Sequence, residues 1–501
     1  MTESSRVPTG SAALDKILGG GLPADCVYLV EGTPGAGKTT LALQFLLEGH
    51  RRGEATLYVT LSETINELTV VALSHEWDLS GVSIFDLTSA EEILGDAQQQ
   101  SILHSYEVEL GGTIDLIKAQ VERIKPRRVV FDSLSELRLI AQEPLHYRRQ
   151  ILLLKQYFAG KNITVLFLDD LTTSVGLRDN HLHSLCHGVI TLERLTLDFG
   201  AARRRLQVQK MRGVNFVAGY HDFVIRKGGL QIFPRLIASE HHSTFIGEPM
   251  PSGVAELDAM LNGGPARGTC TLLTGPAGGG KTSLALQYVA EACRRGEHCV
   301  IYEFDERIGT MMTRAKAFGL DLENCVESGH LTIRQIDPAE ISPGEFTALV
   351  RTEVEQLSSR VVVIDSLNGY LAAMAQENHL ILQLRELLSY LNQAGTVTFL
   401  INPQQGFFGS MSTNGLDASY ISDTIILLRF FEAEGRIRKA ISVVKNRSGP
   451  HEDAIREFRL DQLGIRVGEP LSNFKGVLTG TPEFVGGDKS LMEDRTEVGS
   501  G

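Results

Sequence analysis

The chain has 501 residues, a length that predicts two large domains or about three of average size. Its 48 Lys and Arg against 61 Asp and Glu give a net charge of −13, which argues against a general nucleic-acid coat because such proteins need a basic face. No apolar run is long enough to cross a membrane, and six Cys without a CxxC pair do not form a disulfide framework. We therefore expect a cytoplasmic protein that binds no membrane.

The two halves of the chain share a sequence pattern. Val7–Asp15 matches Met250–Asp258, and Gly32–Thr39 matches Gly275–Thr282 at the same offset. A period this long predicts a duplicated domain rather than a solenoid, because each copy can bury its own core. The expected boundaries are an N-terminal domain over 1–240, a C-terminal domain over 241–475 and a mobile tail over 476–501.

The first copy alternates strand-like and helix-like segments. In chain order, we predict a strand at Cys26–Glu31, a helix at Lys38–Arg51, a strand at Ala55–Leu61, a helix at Thr113–Ile124, a strand at Arg128–Asp132, a helix at Leu145–Ala159 and a strand at Thr164–Leu168. Such alternation predicts an α/β fold, in which a mostly parallel sheet carries helices on both faces.

Each copy contains a GxxxxGK[ST] motif, the Walker A pattern, between a predicted strand and an amphipathic helix. Its glycines let backbone N–H groups surround a phosphate, its Lys reaches the β- and γ-phosphates, and its hydroxyl binds Mg²⁺. Two matches at equivalent positions of a repeat argue strongly against coincidence. The predicted ATP-binding residues are Gly32, Thr33, Pro34, Gly35, Ala36, Gly37, Lys38, Thr39 and Thr40, and Gly275, Pro276, Ala277, Gly278, Gly279, Gly280, Lys281, Thr282 and Ser283.

An apolar strand that ends in Asp follows each of these motifs. Asp132 and Asp365 occupy this position, which is the Walker B pattern. A carboxylate there holds Mg²⁺, usually through water, together with the P-loop hydroxyl. We therefore predict metal sites at Thr39 with Asp132 and at Thr282 with Asp365.

Acidic residues also follow the strand after each P-loop helix. They are Glu63 in the first copy and Asp305 and Glu306 in the second. A carboxylate at this position can accept a proton from attacking water or from a hydroxyl group, so we predict a catalytic role. The alternative is an ordinary solvated strand end.

A K-x-R sequence lies near the end of each copy, as Lys210 with Arg212 and Lys445 with Arg447. Alternate residues on a strand point the same way, so Lys and Arg are expected to project together. A basic pair far from its own P-loop suits a contact with the γ-phosphate held by a neighbouring subunit, as an arginine finger makes. The alternative is a basic strand end on a solvated face.

Together these residues resemble the KaiC family, the double-domain RecA-like ATPases of the bacterial circadian clock. The resemblance covers about residues 7–475 and is most specific in the Pro8–Asp15 and Pro251–Asp258 openings, the K-x-R strands, and Ser419–Leu428 followed by Ala454–Phe458. It implies two tandem RecA-like P-loop NTPase domains in a two-tiered homohexamer, with ATP and Mg²⁺ at subunit interfaces. It also implies an N-terminal ATPase ring and a C-terminal ring that is a serine/threonine autokinase, in signalling or circadian-type timing.

The sequence departs from the family pattern at three places. The two phosphoacceptor positions are Ser419 and Tyr420, where the family has Ser and then Thr. A Tyr oxygen lies farther from the backbone, and a misplacement of about 1 Å costs ~100-fold in rate, so Ser419 is the expected acceptor. Ser62 precedes Glu63 where the family has paired glutamates, which weakens the N-terminal ATPase if both acids matter. The tail after Phe474 shows little likeness to the family segment that binds KaiA, which argues against a KaiA-like partner; a KaiB-like partner on the N-terminal ring stays open.

Two other functions fit the same motifs. A nucleotide-gated KaiC-like ATPase hub without kinase activity is favoured by Ser62 and Tyr420. A RecA-like DNA-dependent ATPase shares the fold, but the acidic net charge and the lack of an aromatic stacking platform argue against it.

Overall fold

The computed structural model divides the chain into two compact units, Met1–Arg235 and Leu236–Gly501. The described residues are 5–87, 105–141, 144–171, 180–197, 200–241, 243–373, 380–404, 418–462, 464–478 and 483–486. None of the helices among them is both long and apolar enough to cross a membrane.

The N-terminal unit has one large sheet with helices between its strands. Its helices are α1 (Ala12–Ile17), α2 (Lys38–Arg51), α3 (Ile65–Ser74), α4 (Ser105–Ile124), α5 (Leu134–Ala141), α6 (Pro144–Phe158) and α7 (Asn180–Leu185). Its strands are β1 (Arg6–Val7), β2 (Leu22–Pro23), β3 (Val27–Gly32), β4 (Thr56–Thr60), β5 (Ser83–Asp86), β6 (Arg128–Asp132), β7 (Thr164–Asp170), β8 (Gly188–Leu195), β9 (Arg203–Met211), β10 (Tyr220–Arg226) and β11 (Gly229–Phe233). The nine-stranded sheet has the order β11-β10-β9-β8-β3-β7-β6-β4-β5. It is parallel from β8 to β5 and antiparallel from β8 to β11.

The C-terminal unit repeats this architecture. Its helices are α8 (Ala255–Met260), α9 (Lys281–Arg294), α10 (Ile308–Ala317), α11 (Leu322–Glu327), α12 (Pro343–Leu357), α13 (Leu367–Ala373) and α14 (Leu380–Gln393), with short 3-10 turns at Ala238–Glu240 and Ala418–Tyr420. Its strands are β12 (Cys270–Pro276), β13 (Cys299–Glu303), β14 (Leu331–Gln335), β15 (Val361–Asp365), β16 (Val397–Gln404), β17 (Thr424–Ala433), β18 (Arg436–Asn446), β19 (Arg456–Asp461), β20 (Gly464–Pro470), β21 (Phe474–Lys475) and β22 (Glu483–Phe484). The sheet order, β14-β13-β15-β16-β12-β17-β18-β19-β20, is that of the first unit. The predicted fold, two tandem RecA-like α/β domains with mostly parallel sheets, is confirmed.

The central strand β3 is buried on both of its faces. Val27 and Leu29 pack into one core, whereas Tyr28 and Val30 pack into the core on the other side of the sheet. Successive side chains on a strand point to opposite faces, so helices must cover both sides, as they do in parallel sheets generally. The P-loop therefore begins at the end of a strand that is packed on both faces and paired with β7 and β8 along its two edges.

Most predicted elements agree with the structure, and two differ in an informative way. Helix α4 begins at Ser105 rather than at Thr113, so it runs through Gly111 and Gly112 despite their low helix propensity. Strand β7 continues past Leu168 to Asp170, because its last residues still pair with β3. This extension carries two carboxylates to the end of the sheet.

Arg128, the first residue of β6, is buried in the N-terminal unit. Its side chain is 1% exposed, and its Nε lies 2.5 Å from Glu54 Oε2. Its Nη1 donates to the carbonyl oxygens of Pro8 at 2.7 Å and Phe45 at 2.8 Å. The equivalent first residue of β15 is Val361. Arg128 thus ties the segment before α1 to α2 and to the sheet.

We expect Arg128→Ala to lower the free energy of unfolding of the N-terminal unit by about 3–5 kcal/mol, because it leaves Glu54 and two carbonyls without their partner. Trp77, the only Trp of the chain, lies in this unit, so urea unfolding followed by its fluorescence isolates the effect. The control is Arg127→Ala, which changes an exposed neighbour and should cost under about 0.5 kcal/mol. Equal losses in the two variants would contradict the assignment.

Candidate nucleotide-binding sites

Each Walker A motif forms a loop that turns directly into a helix. Gly37 precedes α2 with φ 106°, and Gly280 precedes α9 with φ 103°, both in the left-handed region. A Cβ at Gly37 would also lie 2.8 Å from Ile225 Cδ1. Glycine is therefore required there, and it lets the first N–H groups of the helix face the loop, where they can bind a phosphate.

The P-loop lysines fold back onto the loops that precede them. Lys38 Nζ donates to the carbonyl oxygens of Gly32 at 3.0 Å and Thr33 at 3.3 Å. Lys281 Nζ donates in the same way to Gly275 at 3.0 Å and to the next carbonyl at 2.8 Å. Burial lowers the pKa of Lys281 to about 8. Both ammonium groups therefore lie against the backbone of their own P-loop.

The Walker A hydroxyls contact the Walker B carboxylates in both units. Thr39 Oγ1 donates to Asp132 Oδ2 at 3.2 Å, and Thr282 Oγ1 donates to Asp365 Oδ2 at 2.7 Å. Burial raises the pKa of Asp132 and raises that of Asp365 to about 6. A hydroxyl and a carboxylate are oxygen ligands of the kind Mg²⁺ takes beside phosphate oxygens, so these pairs fit that ion.

Glu63 of the first copy lies close to the Walker B aspartate. Its backbone N–H donates to Thr60 Oγ1 at 3.0 Å, and the Thr60 hydroxyl donates back to its carbonyl at 2.6 Å. Burial, followed by the negative charge of Asp132, raises the pKa of Glu63 to about 7. A carboxyl group that titrates near neutral pH is suited to proton transfer. Ser62, by contrast, is exposed.

The two predicted acids of the second copy have different partners. Asp305 accepts a short hydrogen bond from Ser366 Oγ, the residue after the Walker B aspartate. Glu306 forms a bidentate ion pair with Arg314, with both N–O distances 2.8 Å. Asp305 is therefore hydrogen-bonded to the residue that directly follows the Walker B strand, whereas the charge of Glu306 is balanced by the guanidinium of Arg314.

Glu303 is a buried acid that motif reasoning missed. It ends β13 directly beside Asp365 of β15, is 1% exposed, and accepts a hydrogen bond from the Glu306 N–H at 2.9 Å. Burial, followed by the charge of Asp365, raises its pKa to about 8. The first copy has Thr60 at the same position, so a residue-by-residue comparison of the repeats would have found it.

Asp170 is a second missed acid, and it contacts the P-loop. Its Oδ1 lies 2.6 Å from Lys38 Nζ. The sequence prediction ends this strand at Leu168, so it assigns no role to Asp169 or Asp170. The sequence does contain a sign of this acid, because an Asp pair directly follows the apolar run of β7, whose end lies beside the P-loop.

The K-x-R lysines hold equivalent backbone segments in the two units. Lys445 Nζ donates to the carbonyl oxygens of Ser419 at 2.6 Å and Ser422 at 2.5 Å. Lys210 Nζ donates to those of His183 at 2.5 Å and Cys186 at 3.0 Å. Each lysine follows an irregularity in its strand pairing.

The arginines of the two K-x-R sequences lie beside the same segments. Arg212 Nη2 donates to the Ser184 carbonyl at 3.0 Å, and the Arg447 backbone N–H donates to the Asp423 carbonyl at 3.0 Å. Ser419 is half-buried and Tyr420 is 49% exposed. The action of Arg212 and Arg447 on a neighbouring subunit stays a prediction.

The structure thus joins Walker A, Walker B and the strand-end acids within each unit. The K-x-R residues contact a different place in each unit: the segment before β8 in the first and the segment before β17 in the second. In the second unit that segment contains both predicted phosphoacceptors.

Glu303→Gln should change how the stability of the C-terminal unit depends on pH. The raised pKa means that only the unfolded state releases this proton between about pH 5 and 8, so the group lowers the free energy of unfolding by about 1.4 kcal/mol per pH unit there. The variant loses that slope, and its stability relative to the wild type should rise with pH. Hydrogen–deuterium exchange of β13 and β15 peptides with EDTA present measures it. The exposed change Glu323→Gln is the control, and parallel profiles for wild type and Glu303→Gln would contradict the assignment.

Comparison with known proteins identifies the family. The family model described as "ATPase: KaiC" matches residues 7–237 and 250–472. The circadian clock oscillator protein KaiC of Parasynechococcus marenigrum (strain WH8102) is 27% identical over 486 residues, covering 97% of this chain and 94% of that protein. The protein of the same name from Acaryochloris marina (strain MBIC 11017) is 27% identical, with coverage of 97% and 93%, and that from Parathermosynechococcus lividus is 28% identical, with coverage of 96% and 88%. The chain therefore belongs to the KaiC ATPase family.

Proposed function

We propose that this protein is a KaiC-like ATPase and serine/threonine autokinase that works as a homohexamer with ATP and Mg²⁺ bound in both domains. The observation that carries the proposal is the meeting of P-loop lysine, Walker hydroxyl, Walker aspartate and strand-end acid in each unit. Circadian-type timing or signalling is the proposed setting, because the relatives are named as clock oscillator proteins. A KaiB-like protein on the N-terminal domain is the proposed partner.

The residues of the N-terminal unit support ATP hydrolysis. ATP supplies the phosphoryl group, and Mg²⁺ offsets its charge. Lys38 would bind the phosphates, while Thr39 and Asp132 would hold the metal. Glu63, whose pKa of about 7 lets it exchange a proton near neutral pH, would accept the proton of the attacking water.

The C-terminal unit offers the same groups together with a hydroxyl acceptor. Lys281 would bind the phosphates, and Thr282 with Asp365 would hold the metal. Asp305, just after the strand that follows the P-loop helix, would take the proton from the acceptor hydroxyl. Ser419 is the proposed acceptor, and Lys445 would position it through its backbone.

Phosphopeptide mass spectrometry after incubation with MgATP tests the kinase proposal. The tryptic peptide Glu386–Arg429 contains both Ser419 and Tyr420 and no internal Lys or Arg. We expect phosphate on Ser419, lost in Lys281→Ala and retained in the exposed control Lys316→Ala. ATP hydrolysis by a hexamer with this peptide fully unmodified would favour a nucleotide-gated hub without kinase activity. The exposed Tyr420 in place of a Thr is the observation that favours the hub.

Arg447→Ala should slow phosphoryl transfer in the neighbouring subunit, because it removes positive charge offered to the γ-phosphate across the interface. Mixing Arg447→Ala subunits with Lys281→Ala subunits and measuring phosphorylation checks this. Recovery of activity in the mixture supports action between subunits, because the intact P-loop of one subunit is completed by the intact Arg447 of the other. No recovery in mixed rings would assign the effect to the mutated subunit alone.

A further inference from the structure

The P-loop lysine of the N-terminal unit has a carboxylate as one of its partners. Lys38 Nζ donates to the carbonyl oxygens of Gly32 and Thr33 and lies 2.6 Å from Asp170 Oδ1. An ammonium group has three N–H donors. These three protein acceptors therefore match its full capacity, and phosphates must replace at least one of them.

The two units differ at this position. In the ladder between β3 and β7, Asp170 stands opposite Gly32; in the ladder between β12 and β16, Pro403 stands opposite Gly275. Among the described residues, Lys281 donates to two carbonyl oxygens and has no paired carboxylate. The acid is thus particular to the N-terminal site.

We propose that Asp170 competes with the phosphates of ATP for Lys38, so that the N-terminal site binds MgATP more weakly than it would with a neutral residue there. This inference rests on the proposed nucleotide-binding function. The Asp170 side chain is 36% exposed and that of Lys38 is 9% exposed, so the carboxylate keeps contact with solvent while the ammonium group is buried. A fixed negative charge beside the lysine both occupies an N–H donor and repels the polyphosphate.

The charge of Asp170 also acts on the neighbouring acids. It contributes to the raised pKa of Glu63, after burial and other charges, and to that of Asp132. Asp170 is therefore close enough for its charge to act on these two acids as well as on Lys38.

Asp169 provides a matched control one residue away. Adjacent side chains on a strand point to opposite faces. Asp169 accepts from Ser135 Oγ at 2.8 Å and from Arg138 Nη2 at 2.7 Å, away from the lysine. The same substitution at the two positions thus removes a charge from different partners.

The test is a titration of the full-length protein with MgATP by isothermal calorimetry, in a Lys281→Ala background that disables the C-terminal site. We expect Asp170→Asn to tighten MgATP binding about tenfold, and Asp169→Asn to leave it within about twofold. Equal or weaker binding by Asp170→Asn would overturn the proposal. If the Lys281→Ala protein binds MgATP and the Asp170 substitution does not change that affinity, the competition is overturned while the nucleotide function stands. If the Lys281→Ala protein binds no MgATP at all, the proposed function itself is contradicted.

A reciprocal variant tests the proposal in the second unit. Pro403→Asp, in a Lys38→Ala background, places a carboxylate at the equivalent position beside Lys281. We expect MgATP binding to weaken about tenfold, with Pro403→Asn as the neutral control. Equal affinities for the Asp and Asn variants would overturn the proposed competition, even if Asp170→Asn fails to fold.

Discussion

The shared carboxyl edge of the parallel strands is the constraint on which each nucleotide site depends. Strands β3, β4, β6 and β7 run in the same direction, so their ends deliver the P-loop, the strand-end acid, the Walker aspartate and a further carboxylate to one place. Crowding acids in a buried edge makes their charged forms costly, and the raised pKa values of Glu63, Asp132, Glu303 and Asp365 follow. A cation at this edge would favour the charged forms of these carboxylates.

Duplication has left two copies of one scaffold with different charges at equivalent positions. The first unit has Thr60 beside its Walker aspartate and an acid opposite Gly32; the second has Glu303 and a proline. The additional acid therefore lies beside the P-loop lysine in the first unit and beside the Walker aspartate in the second. The strand order is the same in both units, so these side chains distinguish two sites that share one topology.

Local signals were enough to predict the fold, and they name most of the residues that the structure brings together at each candidate site. The P-loops, the Walker aspartates and Glu63 lie in short motifs whose spacing carries their chemistry, and strand alternation indicated the parallel sheets. Asp170 was missed because hydropathy alone ends a strand at its last apolar residue, whereas the ladder with β3 continues. The contact of Lys445 with Ser419 joins segments 26 residues apart through backbone oxygens, which leave no trace in residue type.

The contact between Lys445 and the backbone of the proposed acceptor segment bears on how freely the side chains of that segment can change. Lys445 and Lys210 donate hydrogen bonds to backbone carbonyl oxygens, which every residue possesses. These contacts do not depend on which side chains the segment carries. The segment held by Lys210 begins with a histidine where the other begins with Ser419. Backbone hydrogen bonds of this kind hold the main chain in place while its side chains diverge. A tyrosine can therefore replace a threonine without displacing the adjacent serine.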